Sequence, residues 1–80
     1  MHTKHSNLVK IGKIIQQLRK EDGYSQEEFA YAAGIARTYM GRIERGEHNI
    51  SIQHLIKIAF TLNIEVGKLI PPISQLKYPT

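Results

Sequence analysis

Residues 24–46 read YSQEEFAYAAGIARTYMGRIERG, and this stretch decides the fold. Ser25 followed by Glu28 is a capping box: the serine oxygen accepts from the third helical amide while the glutamate reaches back to the serine amide. Phe29, Ala30 and Ala33 then share one helical face. Gly34 ends this helix and supplies the positive φ that a sharp turn needs. Only about nine residues separate the cap from that glycine, too few for a helix to stand alone, so the segment must dock at once on a neighbour. Ile35 points inward from the turn. A further helix covers Arg37 to Arg45, with Met40 and Ile43 inward, Arg37, Thr38, Gly41, Arg42 and Arg45 on other faces, and Gly46 at its close.

The flanks extend the same all-helical pattern. Upstream, Leu8, Ile11, Ile15 and Leu18, with Ile14 beside them, form an apolar stripe on a helix of roughly four turns. Asn7 is the expected N-cap and Gly23 the expected left-handed C-terminal residue, while Lys10, Lys13, Gln17 and Lys20 lie on the opposite face. Downstream, Ser51 caps a fourth helix whose inner face is Ile52, Leu55, Ile56, Ala59 and Leu62, and Asn63 breaks it. A short fifth helix is expected around Glu65–Ile70. Gly67 weakens it by roughly 1 kcal/mol relative to Ala, and Pro71-Pro72 stops it. No strand, repeat or interdomain linker is read. The expected organisation is a flexible N-terminus (1–7), one domain (8–70) and a C-terminal tail (71–80) bearing Ile73, Leu76 and Tyr78.

Composition limits the function classes. Eighty residues make one small domain, and the 41% apolar fraction is enough for a core. That length excludes enzymes built on large α/β scaffolds. There is no Cys, so disulfides and thiolate metal sites are excluded, which suits a reducing compartment. His2, His5, His48 and His54 do not stand at the spacing of a structural zinc site, and no metal or other cofactor is expected. No nucleophile–base–orienter set and no Gly-rich phosphate loop is legible, so no enzymatic activity is expected. Residues 1–7 carry no apolar signal region and no apolar run spans a bilayer, so the expectation is a cytoplasmic chain without membrane contact. Eleven Lys and Arg against seven Asp and Glu leave a net charge of +4, a weak hint of nucleic acid on its own.

Two short helices joined by a glycine-containing turn are the helix-turn-helix signature, and the second of the two enters the DNA major groove. The run from Tyr24 to Ala30, Ala33-Gly34-Ile35 and Ile43-Glu44-Arg45-Gly46 resembles the Xre/Cro/C1 helix-turn-helix family, over about Leu8 to Ile70. Arg37-Thr38-Tyr39 and Asn49-Ile50-Ser51-Ile52 are similar to the restriction–modification controller proteins within that family. The resemblance implies a five-helix, lambda-repressor-like DNA-binding domain that acts as a dimeric transcriptional regulator. It also implies that Gln26 touches a phosphate and braces the recognition helix. Glu44 would be a partly buried carboxylate that pairs with an arginine or caps local amides.

Given that motif, Arg37 and Thr38 open the recognition helix, where side chains meet base edges. Arg bonds bidentately to guanine, and Thr offers a hydroxyl or a methyl to thymine. Arg42 lies roughly 140° further round the helix and is the third base-contact candidate. Tyr39 is expected to pack against the second helix with its hydroxyl on phosphate or sugar. Arg45 and Asn49 flank the following loop and would grip the DNA backbone, a contact that positions without reading sequence. Gly41 loses helix stability; it either permits a close approach to DNA or to the second helix, or is tolerated drift. For each polar candidate the bland alternative is a solvated surface side chain.

One such module reads few base pairs. Two copies about a two-fold axis read half-sites about 34 Å apart, so a homodimer on double-stranded DNA is expected. Phe60, Ile64, Ile70 and Ile73 are the candidate dimer residues, being apolar and surplus to the core stripes. RNA polymerase is a further candidate partner, and nothing singles out Glu47 or neighbouring acids as its contact. Two rivals share the fold: an antitoxin that uses the apolar tail, and a protein-interaction module without DNA binding, against which Arg37, Arg42 and Arg45 argue.

Overall fold

The structure, a computed structural model, describes residues 5–79. Four α-helices, α1 (Ser6–Glu21), α2 (Gln26–Ala33), α3 (Arg37–Arg45) and α4 (Ile52–Leu62), are followed by two short 3-10 helices, Val66–Leu69 and Ile73–Gln75. There is no strand among the described residues. Phe29, Ile15, Met40, Ile58 and Leu69 are all fully buried, one from each of the first five elements. One core therefore ties the whole chain together, each such side chain contributing about 1.5–3 kcal/mol by its removal from water.

The local signals read in the sequence account for most helix ends. Ser25 and Glu28 form the reciprocal capping box, Ser51 caps α4 through the His54 amide, and Asn63 takes the left-handed conformation at φ 58°. Gly34, at φ 70°, turns the chain between α2 and α3, where the Ile35 amide bonds to the Ala30 carbonyl at 2.9 Å. This backbone loop closes the end of α2 and sends Ile35 into the core.

Several expectations are corrected. The N-cap of α1 is His5, whose ring accepts from the Asn7 amide at 3.1 Å. Asn7 is instead inside the helix because its own side chain is taken by the tail. Its amide donates to the Lys77 carbonyl at 2.7 Å and accepts from the Lys77 N–H at 2.8 Å. The helix therefore begins before the boundary drawn at Leu8, and residues 1–4, including His2, lie outside the described residues. Lys10 also donates to the Gln75 carbonyl, so the tail lies along the first turns of α1.

The buried side of α4 is Leu55, Ile58, Ala59 and Leu62. Ile52 is 67% exposed and lies off that side. The fifth helix is a single 3-10 turn whose one buried residue is Leu69. Ile70 precedes a proline and is extended, at ψ 129°, which ends the turn there.

Candidate nucleic-acid interface

The recognition helix is held from behind. On its inner side α3 buries Met40, Gly41, Ile43 and Glu44. Glu44 accepts from Arg19 of α1 through Nε at 2.6 Å and Nη2 at 2.9 Å, and from Gln26 of α2 at 3.0 Å. Gln16 adds a longer bond at 3.4 Å. One carboxylate thus joins α1, α2 and α3. Gln26 does brace the recognition helix, through Glu44.

Gly12 and Gly46 let α1 and α3 meet at backbone distance. A Cβ on Gly12 would sit 2.5 Å from the carbonyl oxygens of Ile43 and Glu44, and one on Gly46 would sit 2.7 Å from Val9.

The outer side of α3 carries the candidate reading residues. Arg37 and Thr38 are exposed in its first turn, and Arg42 is half-buried one turn on. Neither Arg37 nor Arg42 forms an ion pair among the described residues. Ala36 caps the helix without a side-chain bond, which leaves the first amides of α3 open for an acceptor. Gly41 lies between the Gln26 and Arg45 side chains: a Cβ there would sit 3.0 Å from Arg45 Nη1 and 3.5 Å from Gln26 Oε1. The close approach expected at Gly41 is therefore made by these two side chains.

Arg45 is tied to Glu47 by two bonds, Nε to Oε2 at 3.0 Å and Nη2 to Oε1 at 3.1 Å. Asn49 is exposed in the loop. Tyr39 is half-buried against the core. Its ring packs on His48 of the loop and His54 of α4, with ring centroids 4.4 and 4.5 Å away.

The candidate dimer residues separate into two places. Phe60, 82% exposed, and half-buried Ile64 line a groove of about 540 Å³ together with Ile56, Val66 and Lys68. Ile73 lines a different hollow, about 470 Å³, with Asn7, Leu76 and Tyr78. Ile70 is 38% exposed and lines neither. Among the described residues no group of three or more His, Asp or Glu side chains is placed to hold a metal, and no helix is long and apolar enough to cross a membrane.

Arg19, Gln16, His48 and His54 carry parts of this arrangement that the sequence did not assign. Arg19 stands four residues after Ile15 and so shares its buried side, a usable signal for an inward-facing cation.

A capped short helix, a left-handed glycine turn and a basic helix presented outward define a helix-turn-helix module of the lambda-repressor type. A family model described as helix-turn-helix matches residues 15–69, and the chain belongs to that family. It is 42% identical over 69 residues to the HTH-type transcriptional regulator SinR of Bacillus subtilis, a match over 85% of this chain and 62% of SinR. The restriction–modification controller protein C.AhdI of Aeromonas hydrophila superposes with a TM-score of 0.79 at 40% identity, covering 81% of this chain and 98% of that one. SinR in complex with DNA superposes with a TM-score of 0.71 at 47% identity, covering 74% and 95%. Against SlrR and SinR of Bacillus subtilis, the chain spans 40% and 62% of their length.

Proposed function

We propose that the chain is a sequence-specific DNA-binding transcriptional regulator that reads an inverted-repeat operator as a homodimer. The observation that carries this is the outer face of α3, where Arg37 and Thr38 stand exposed and Arg42 follows, with neither arginine engaged in an ion pair among the described residues. Arg37, Thr38 and Arg42 read bases, and Gln26, Tyr39, Arg45 and Asn49 seat the DNA backbone. Phe60 and Ile64 form the centre of the dimer contact, with Ile70 and Ile73 outside it. The similarity to C.AhdI supports the narrower role of restriction–modification controller, and the SinR–DNA complex supports DNA as the ligand. The reading requires no cofactor and no catalysis, and it places the protein in the cytoplasm. A regulator seated beside a promoter either blocks RNA polymerase or recruits it.

The test is selection of bound sequences from random duplex DNA, followed by affinity measurements at two salt concentrations. Recovery of an inverted repeat with one-turn spacing, and binding that weakens steeply with salt, is the expected result. Weak, sequence-blind binding would overturn the reading.

One observation favours a second reading, the antitoxin. Ile73 and Tyr78 are 85% and 86% exposed on the docked tail. A small protein that co-purifies with the full chain and is lost when residues 71–80 are deleted would establish it.

A further inference from the structure

We infer that His48 and His54, held on either side of the Tyr39 ring, form a proton-operated seat for a DNA backbone phosphate, so that operator binding takes up protons. The inference rests on the DNA-reading function proposed above and adds a chemical control to it.

The geometry comes first. Tyr39 lies in the first turn of α3, next to the exposed Arg37 and Thr38. Its ring is met by the His48 ring at 4.4 Å, edge-on at 74°, and by the His54 ring at 4.5 Å, tilted at 55°. Two half-buried imidazoles are therefore one side chain away from the turn that enters the groove. DNA seated on that turn carries its phosphates along the rim, where positively charged groups stabilise it without reading sequence.

The charged groups around the cluster favour a switch over a fixed charge. From α4, Lys57 acts on His54, as does His48 across the Tyr39 ring. From the loop, Glu47 adjoins His48 in sequence, and its carboxylate bonds Arg45 of α3 at both oxygens. Burial first, then Lys57 and His48, holds the His54 pKa below the ordinary histidine value. In the free protein these causes favour the neutral ring. A phosphate brought against it reverses the balance, because an opposite charge within a few ångströms favours the protonated form.

The local hydrogen bonds allow the change without unfolding. Ser51 Oγ lies 2.7 Å from His54 Nδ1 and also accepts from the His54 amide at 3.1 Å. In the neutral ring the hydroxyl donates to Nδ1, with the ring proton on Nε2. In the imidazolium, a proton taken from solvent sits on Nδ1 and donates to the same oxygen. The cap of α4 survives both states, so pH sets charge at the rim and leaves the helix in place.

The experiment measures the affinity of the full chain for its selected operator from about pH 8 to pH 6 at constant ionic strength, with imidazole pKa values followed by NMR with and without DNA. The expected result is tightening as pH falls, by up to about ten-fold per pH unit for each proton taken up. The DNA-bound pKa of His54 should lie above the free one. The double variant His48→Gln, His54→Gln should lose the slope. Flat affinity with unchanged imidazole pKa values overturns the inference, as does a slope that persists in the double variant. The NMR comparison uses the unaltered chain and stands if the variant fails to fold. Absence of specific binding at every pH would overturn the DNA-reading function itself, whereas specific, pH-independent binding overturns only the proton linkage.

Discussion

Arg19 on α1 and Glu44 on α3 form a buried two-bond ion pair, with Nε–Oε2 at 2.6 Å and Nη2–Oε1 at 2.9 Å, although the residues are 25 positions apart. The third arginine branch donates to the Tyr24 carbonyl at 2.9 Å, and Gln26 and Gln16 donate to the same carboxylate. Buried charges hold only when every donor and acceptor is satisfied, and no buried side-chain N or O among the described residues lacks a partner. The pair therefore fixes how the recognition helix sits against α1 and α2.

Glu44→Ala leaves the Arg19 guanidinium buried without its counter-charge. Breaking one side of such a pair costs about 3–5 kcal/mol. A domain of this length has only about 4–12 kcal/mol in total. Urea unfolding should show the midpoint of this variant greatly lowered. The double variant Arg19→Met, Glu44→Leu should recover much of that stability. It should still bind operator poorly, because Gln26 loses its anchor. Full recovery of DNA affinity would show that the network does not position the helix.

Two glycine substitutions should act in opposite directions. Gly12→Ala places a Cβ 2.5 Å from two backbone carbonyls of α3, which forces the helices apart. Overpacking of this kind costs about 1–3 kcal/mol. Gly67→Ala meets nothing within 4 Å and sits outside the positive-φ region, so it restricts only the unfolded chain. A gain of about 0.4–1 kcal/mol is expected. Thermal melts of the two variants test this, since 1 kcal/mol shifts Tm by about 4–8 °C in a domain this small.

What was legible in the sequence was local chemistry. Ser25 with Glu28, Gly34, Ser51 and Asn63 each act on amides or dihedrals within a few residues, and each appears where it was read. The inner faces of α2 and α3 were legible because polar residues surround a few apolar ones. The face of α4 was displaced because Ile52, Leu55, Ile56, Ile58 and Phe60 surround the helix, so periodicity could not choose among them. The Arg19–Glu44 pair, the Gly12 contact and the Tyr39–histidine cluster were not legible. Each depends on how two distant segments meet, which no spacing along one segment records.

Acid should weaken the fold in two separable windows. The folded-state pKa of His54 lies below its ordinary value of 6.5, chiefly through burial. The unfolded chain therefore takes up that proton first, and stability present above that value is lost as pH falls through it towards the folded value. Glu28 is held below its ordinary 4.5 by its bond from the Ser25 amide. Its contribution is full above 4.5 and lost as pH falls below it. His54→Gln should flatten the upper part of a Tm–pH curve, and Glu28→Gln the lower. A wild-type curve that is flat through both windows would contradict both assignments.

Arg37→Ala should show whether Arg37 reads a base or only grips the backbone. Loss of a bidentate base contact costs about 1–3 kcal/mol and relaxes specificity at one position of the operator. Loss of a phosphate contact weakens all sequences about equally and reduces the salt slope by about one. Arg37 is exposed in the first turn and should follow the first pattern. Competition between operator and point-mutated duplexes at two salt concentrations distinguishes the outcomes. An Arg37→Ala variant that loses affinity uniformly would move Arg37 to the backbone-contact set.

Phe60 provides the sharpest test of dimerisation. An aromatic ring 82% exposed on α4, beside a groove floored by Ile56, Ala59 and Val66, presents apolar area that folding of the monomer leaves in water. The ring is not needed for the core, whose α4 contributions are Leu55, Ile58, Ala59 and Leu62. Phe60→Glu should therefore leave Tm nearly unchanged at low protein concentration, while sedimentation should show a monomer for the variant and a dimer for the wild type. Affinity for a single half-site should be retained, because α3 lies elsewhere on the molecule. Affinity for the full inverted repeat should fall to the half-site level, since a closed two-fold contact is what lets both recognition helices engage at once. If Phe60→Glu sediments as a dimer, the two-fold contact lies elsewhere, and the exposed Ile73 and Tyr78 on the tail become the next surface to alter.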